Sequence, residues 1–178
     1  MKFQYLLFAV SFWAFTSCIS DKDDKDTKND VRIDDHIPVF EIKNEERSLK
    51  SPDDFQGKKT LLVFFTTTCS DCRREMPFAE YAYRQLGSQG LNVVTIGRGE
   101  TREAVDDFWK KLDLSMPYFL DSDRKVFDLF ASQTIPRLYL VNENGIVVWM
   151  LVNDFGYGSF TQEKGDLFNK SVREKLNL

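Results

Sequence analysis

Residues 60–77 read TLLVFFTTTCSDCRREMP, and this stretch decides the fold and the chemistry. Leu61 to Phe65 is an unbroken apolar, β-rich run, the pattern of a strand buried on both faces. A helical stretch is expected from Ser70 to about Leu86, with Pro77 as a kink position inside it. Cys69 and Cys72 fall at the junction. Two cysteines three apart serve either a metal or a redox couple. A structural zinc site needs four ligands, and the remaining Cys18 and the single His36 stand far upstream in an unsuitable segment. The pair therefore reads as a dithiol, with no metal and no cofactor expected. A helix beginning at Ser70 puts Cys69 at its positive end, where unpaired N–H groups and the helix dipole favour a thiolate. Cys72 then lies about one turn inside, less exposed and more protonated. That asymmetry makes Cys69 the attacking thiol and Cys72 the resolving one. A static disulfide across so small a loop would add little stability.

The pattern continues outward in both directions. PVFEI (38–42) reads as a short edge strand, and 43–58 as polar connection punctuated by Pro52 and Gly57. LNVVTIG (91–97) is a second buried strand. Ala104, Val105, Phe108, Trp109 and Leu112 recur at helical spacing, which marks Phe108 and Trp109 as core. PYFLD (117–121) is a short strand, followed by a small helix through Val126 and Phe130. PRLYLV (136–141) and GIVVWML (145–151) flank Asn144-Gly145, a hairpin signal. Leu167, Phe168, Val172 and Leu176 define a last helix. Strands alternating with helices, then a hairpin and a helix, predict an α/β fold with a central mixed β-sheet flanked by helices.

The 178 residues hold sixteen Phe, six Tyr and three Trp, enough for one sizeable core. The net charge of −4 gives no electrostatic case for nucleic acid. Residues 1–17 have a basic Lys2, an apolar run from Phe3 to Phe15, and small residues before Cys18. The run is the length of a signal-peptide core and shorter than the ~20 residues of a spanning helix. This start resembles a bacterial lipoprotein signal, which implies lipidation at Cys18. Phe15 stands where such signals usually carry Leu. Residues 18–36 hold seven Asp and four Lys or Arg, and read as an acidic solvated tether to a domain at 37–178. The expected location is the cell envelope, lipid-anchored and facing the periplasm, with the outer membrane or the cell surface as alternatives and the membrane itself left open. The acidic run after Cys18 resembles the surface-export tract of some Bacteroidetes lipoproteins.

The chain from 37 to 178 resembles the TlpA/ResA-like group of thioredoxin-fold, extracytoplasmic thiol-disulfide oxidoreductases. Cys69-Ser70-Asp71-Cys72 stands at the CxxC motif, CRREMP (72–77) resembles a CKKEMP continuation, and Thr134-Ile135-Pro136 stands at the cis-proline. LVNENGIVV (140–148) resembles the hairpin that follows. Glu75 matches the Glu that ResA-like proteins carry three residues after the second Cys. The sequence departs from thioredoxins at Thr68 (usually Trp), at Ser70-Asp71 (usually ending in Pro), at Val63 (a buried Asp) and at Arg137 (often Thr). The resemblance implies a thioredoxin-like fold, protein thiol or disulfide substrates, a membrane electron donor or reductase, and a monomer.

The implied site residues are Cys69, Cys72, Glu75 and Pro136 for catalysis, with Thr68, Ser70, Asp71 and Ile135 lining the substrate. Glu75, one turn beyond Cys72, is placed to exchange a proton with it. Asp71 disfavours thiolates and so pushes the couple toward the reducing side. A cis Pro136 would hold the Ile135 backbone open beside Cys69. Hydroxyls of Thr66, Thr67 or Thr68 are candidate donors to a thiolate, and Arg73, Arg74, Arg98 and Arg137 candidate positive charges around it. Two alternatives stand beside this reading. A thiol-dependent peroxidase of the peroxiredoxin type would place Thr three residues before its reactive Cys, as Thr66 is, but Pro at position 62, which is Leu. A non-catalytic redox-sensing or binding module would oxidise once without cycling.

Overall fold

A computed structural model describes residues 30–44 and 47–178. The expected signal segment, Cys18 and the tether up to residue 29 lie outside the described residues. Five strands form one mixed sheet: β3 (Lys59–Phe65), β4 (Leu91–Arg98), β5 (Tyr118–Asp121), β6 (Arg137–Val141) and β7 (Val147–Val152), in the order β5-β4-β3-β6-β7. The β3–β4 and β4–β5 pairs are parallel, and the β3–β6 and β6–β7 pairs antiparallel. Helices α1 (Ser70–Leu86), α2 (Arg102–Leu112), α3 (Phe127–Phe130) and α4 (Gln162–Leu176) connect and cover them.

Strand β3 is central, and its alternation feeds two cores. Leu61, Val63 and Phe65 join residues of α1, α2 and α4 on one face, among them Met76, Phe108, Trp109 and Phe168. Leu62 and Phe64 join Val94, Ile96, Phe127, Phe130 and Tyr139 on the other. Every residue from Leu61 to Phe65 is fully buried, as an apolar run without polar alternation requires. Helix α4 lies close against α1 because Gly165 has no side chain: a Cβ there would stand 2.8 Å from Tyr81 Cδ1 and from Phe160 Cε2.

Two expectations are corrected at the N-terminal side. PVFEI does not join the sheet edge. The strand is β1 (Glu41–Lys43), which pairs only with β2 (Ser48–Lys50) inside the stretch expected to be irregular. Single buried residues, Ile42 and Leu49, anchor this ribbon, too weak a pattern to stand out in sequence. The tether boundary at 36 is also displaced. Residues 30–36 run along the body: the Val31 N–H donates to the Phe130 carbonyl at 2.8 Å, the Asp34 N–H to Val147, and the Val147 N–H to Asp35. Val31 is buried, so an apolar residue in the acidic run joins these backbone bonds in docking it.

Candidate active site

The site is built where β3 ends and α1 begins. Cys69 is the N-cap of α1, in extended conformation, and its Sγ accepts the Cys72 N–H at 3.1 Å. The sulfur thus takes the place of a capping oxygen, among the free donors of the first turn. Cys69 is half-buried and Cys72 fully buried, and both are free thiols. Burial pushes the Cys72 thiol far above its ordinary range. The hydrogen bond with Cys69 and the nearby charges of Cys69 and Asp71 push the same way, against the Thr66 backbone. The Cys69 thiol also faces the Ile135 carbonyl at 3.9 Å, and the Ile135–Pro136 peptide is cis. The structure therefore brings Cys69, Cys72, Ile135 and Pro136 together across 66 residues of chain. Thr68 and Ser70 stand exposed on either side of Cys69, and Asp71 half-exposed beside them.

Arg74 does not offer its charge to the thiols. Its Nη1 donates to Asp71 at 2.9 Å, its Nε to Glu75 at 2.9 Å, and its Nη2 lies 3.7 Å from Asp154. Glu75 is completely buried beneath it. Burial raises the Glu75 carboxyl above its ordinary range, against the lowering influence of Arg74 and of the Phe155 backbone. The Glu75 carboxyl thus lies one helical turn from the Cys72 thiol in sequence, both raised by burial.

The other candidate groups divide. Thr67 is committed elsewhere: its N–H and Oγ1 donate to the buried Glu100 carboxylate at 2.7 and 2.9 Å. Arg98 lies over the Phe127 ring at 4.7 Å, and burial lowers its pKa while Cys72 and Cys69 act to raise it. Arg73 lines a cavity of about 240 Å³ with Thr67, Ala104, Asp107, Phe108 and Lys111, beside α1. Arg137 does not frame the mouth of the site. It is 5% exposed and turned toward Asp30 and Tyr139. Glu100 and Asp30 carry no signal in the sequence. Each belongs to a charged run and acts on a residue 33 and 107 positions away, so nothing local marks it.

Residues 33–150 match the AhpC/TSA family model, and the chain belongs to that family. A curated relative, the thiol-disulfide oxidoreductase ResA of Bacillus subtilis, is 36% identical over 95 residues, 53% of this chain. The match spans 53% of that relative's length, about half. The protein of the same name from Geobacillus kaustophilus is 25% identical over 171 residues, covering 94% of this chain and 90% of the relative. The crystal structure of a thioredoxin domain of a Bacteroides vulgatus thiol-disulfide oxidoreductase superposes with a TM-score of 0.63 at 19% identity, covering 80% of this chain and 99% of that one. The fold is thus the thioredoxin-like one that the sequence implied.

Proposed function

We propose that this chain is a thiol-disulfide oxidoreductase that reduces protein disulfides through Cys69 and Cys72. The observation that carries the reading is the division of labour between the thiols: one caps a helix at the surface, the other is fully buried and held protonated. The Cys69 thiolate attacks one sulfur of a substrate disulfide and releases the other as a thiolate, leaving a mixed disulfide. Cys72, deprotonated as its proton passes to Glu75, then attacks Cys69 Sγ. This frees the substrate's second thiol and leaves the Cys69–Cys72 disulfide. Two electrons have passed to the substrate. A dithiol reductant or a membrane electron donor must return them. The names of the relatives support this reaction class.

The lipoprotein-like start supports export, lipidation at Cys18 and a position facing the periplasm, and the resemblance to the TlpA/ResA-like group supports a monomer. Among the described residues no helix is long and apolar enough to cross a membrane. Asp71 beside the thiols supports the reducing direction, although its ion pair with Arg74 weakens its field.

Reduction of insulin disulfides with dithiothreitol as donor tests the reaction. Turnover by the wild type, none by Cys69→Ser, and a trapped mixed disulfide with Cys72→Ser are expected. Peroxide consumption without disulfide turnover would overturn the reading in favour of a peroxidase. A single oxidation without cycling would overturn it in favour of a sensor. The couple's potential tests direction: near thioredoxin's ~−270 mV or below supports a reductase, and ~−150 mV or above refutes it.

A further inference from the structure

The segment Ser132–Pro136 carries the carbonyl that faces Cys69, and its backbone is held in a conformation its sequence does not favour. Thr134 has φ 52, the left-handed region, where a β-branched side chain is strained. Such a geometry persists only where the surroundings impose it. One ion pair holds it at two points, beside the bond from Arg124 Nη2 to the Ser132 carbonyl at 3.3 Å. Asp30 Oδ1 accepts the Ser132 N–H at 3.1 Å, and Asp30 Oδ2 accepts from Arg137 Nη1 at 3.1 Å. Arg137 Nε donates to the Thr134 carbonyl at 3.4 Å, and its Nη1 also reaches the Tyr139 hydroxyl at 3.4 Å. The pair is sequestered, with side chains 6% and 16% exposed for Arg137 and Asp30. The loop is therefore gripped at Ser132 and Thr134, on the N-terminal side of Ile135. Its far end enters β6, where the Asn153 N–H donates to the Pro136 carbonyl at 2.9 Å.

We propose that Asp30 and Arg137 form a positioning brace that holds the 132–136 loop, and with it the Ile135 carbonyl, against the Cys69 thiol. Neither residue touches the reacting sulfurs. Asp30 stands at the point where the docked N-terminal segment meets this loop, so the segment leading into the domain contributes to the geometry of the active site. The carbonyl accepts from the Cys69 thiol, so a released loop leaves the sulfur freer to react. The proposal rests on the dithiol reading only in taking Cys69 as the reactive thiol.

The test compares full-length reduced proteins at one pH, well below their melting temperatures. The readouts are the rate of Cys69 alkylation by iodoacetamide, located by mass spectrometry, and the equilibrium constant of the Cys69–Cys72 couple against glutathione. Asp30→Ala is expected to raise the alkylation rate by about threefold or more, the size of one lost hydrogen bond, and to shift the equilibrium constant. Asp30→Glu, which keeps the carboxylate, should return both toward wild type. Glu80→Gln weakens the fold at the opposite end of α1 and should change neither. If Asp30→Ala does not fold, Asp30→Asn is read by the same criteria. A rate and equilibrium constant unchanged in the Asp30 variants overturn the brace, as does an equal change in Glu80→Gln. Alkylation reads the thiol and not turnover, so failure of the oxidoreductase reading in the insulin assay leaves this test intact.

Discussion

Replacement of Glu80 probes how the α1 scaffold is held to the rest of the fold. Glu80 lies on the inner side of α1, 6% exposed. Its carboxylate accepts the Ser115 N–H at 2.8 Å and the Met116 N–H at 2.9 Å, together with the Ser115 hydroxyl and Arg84 Nε. It therefore ties α1 to the chain entering β5. Alanine leaves the Met116 N–H buried without a partner and the Ser115 N–H only partly satisfied by water. At ~1–3 kcal/mol for a stranded donor, with charge-assisted bonds at the upper end, the loss should be about 3–5 kcal/mol. In a domain of this size that lowers Tm by roughly 6–20 °C. The pH dependence has a definite sign. Burial acts to raise the Glu80 carboxyl, but the bonds from Ser115, Met116 and Arg84 outweigh it and hold the group below its ordinary range. Its stabilising contribution is thus present above the unfolded carboxyl pKa of ~4.3 and lost as pH falls through the lower folded value. Urea unfolding of wild type and Glu80→Ala at pH 7 and in acid measures both effects. A difference under about 1 kcal/mol at pH 7, below one stranded donor, or a difference that persists undiminished in acid, would refute the reasoning.

The site itself makes three further predictions, and the Tyr118–Asp106 pair makes a fourth. Native reduced protein should alkylate at Cys69 at least about a hundredfold faster than at buried Cys72, with the preference vanishing in urea, as mass spectrometry of labelled peptides would report. The Glu75 carboxyl is raised by burial, so its stabilising contribution is complete below the unfolded value near ~4.3 and lost as pH rises through the folded one. Glu75→Gln should then unfold at no lower urea concentration than wild type at pH 7, and its disulfide-exchange rate should lose a step in its pH profile. Asp71→Asn should move the couple in the oxidising direction by less than about 30 mV, because Asp71 is already paired with Arg74. Tyr118, half-buried and donating to Asp106, is pushed up to about 12, and Asp106→Asn should bring its ultraviolet titration back toward the ordinary ~10.

Local physical signals make much of this protein legible in its amino-acid order. The apolar run at 61–65, the helix from Ser70 to Leu86, the second buried strand, the Asn-Gly turn and the dithiol at the strand–helix junction each depend on residues close together in the chain. Periodicity and capping act over such distances, so sequence by itself determined the strands and long helices of the main sheet, the fold class and the placing of the two cysteines at one junction. Tertiary structure alone decided what surrounds that pair. Whether Arg74 serves the thiols or three carboxylates, whether Thr67 is free or bound to Glu100, and whether Arg137 faces solvent or Asp30 are contests between polar partners, several of them far apart in sequence. A charged side chain looks the same in sequence on a solvated face or in a sequestered pair. Its energy, and so its role, is set by the partners and the burial that only the folded chain supplies.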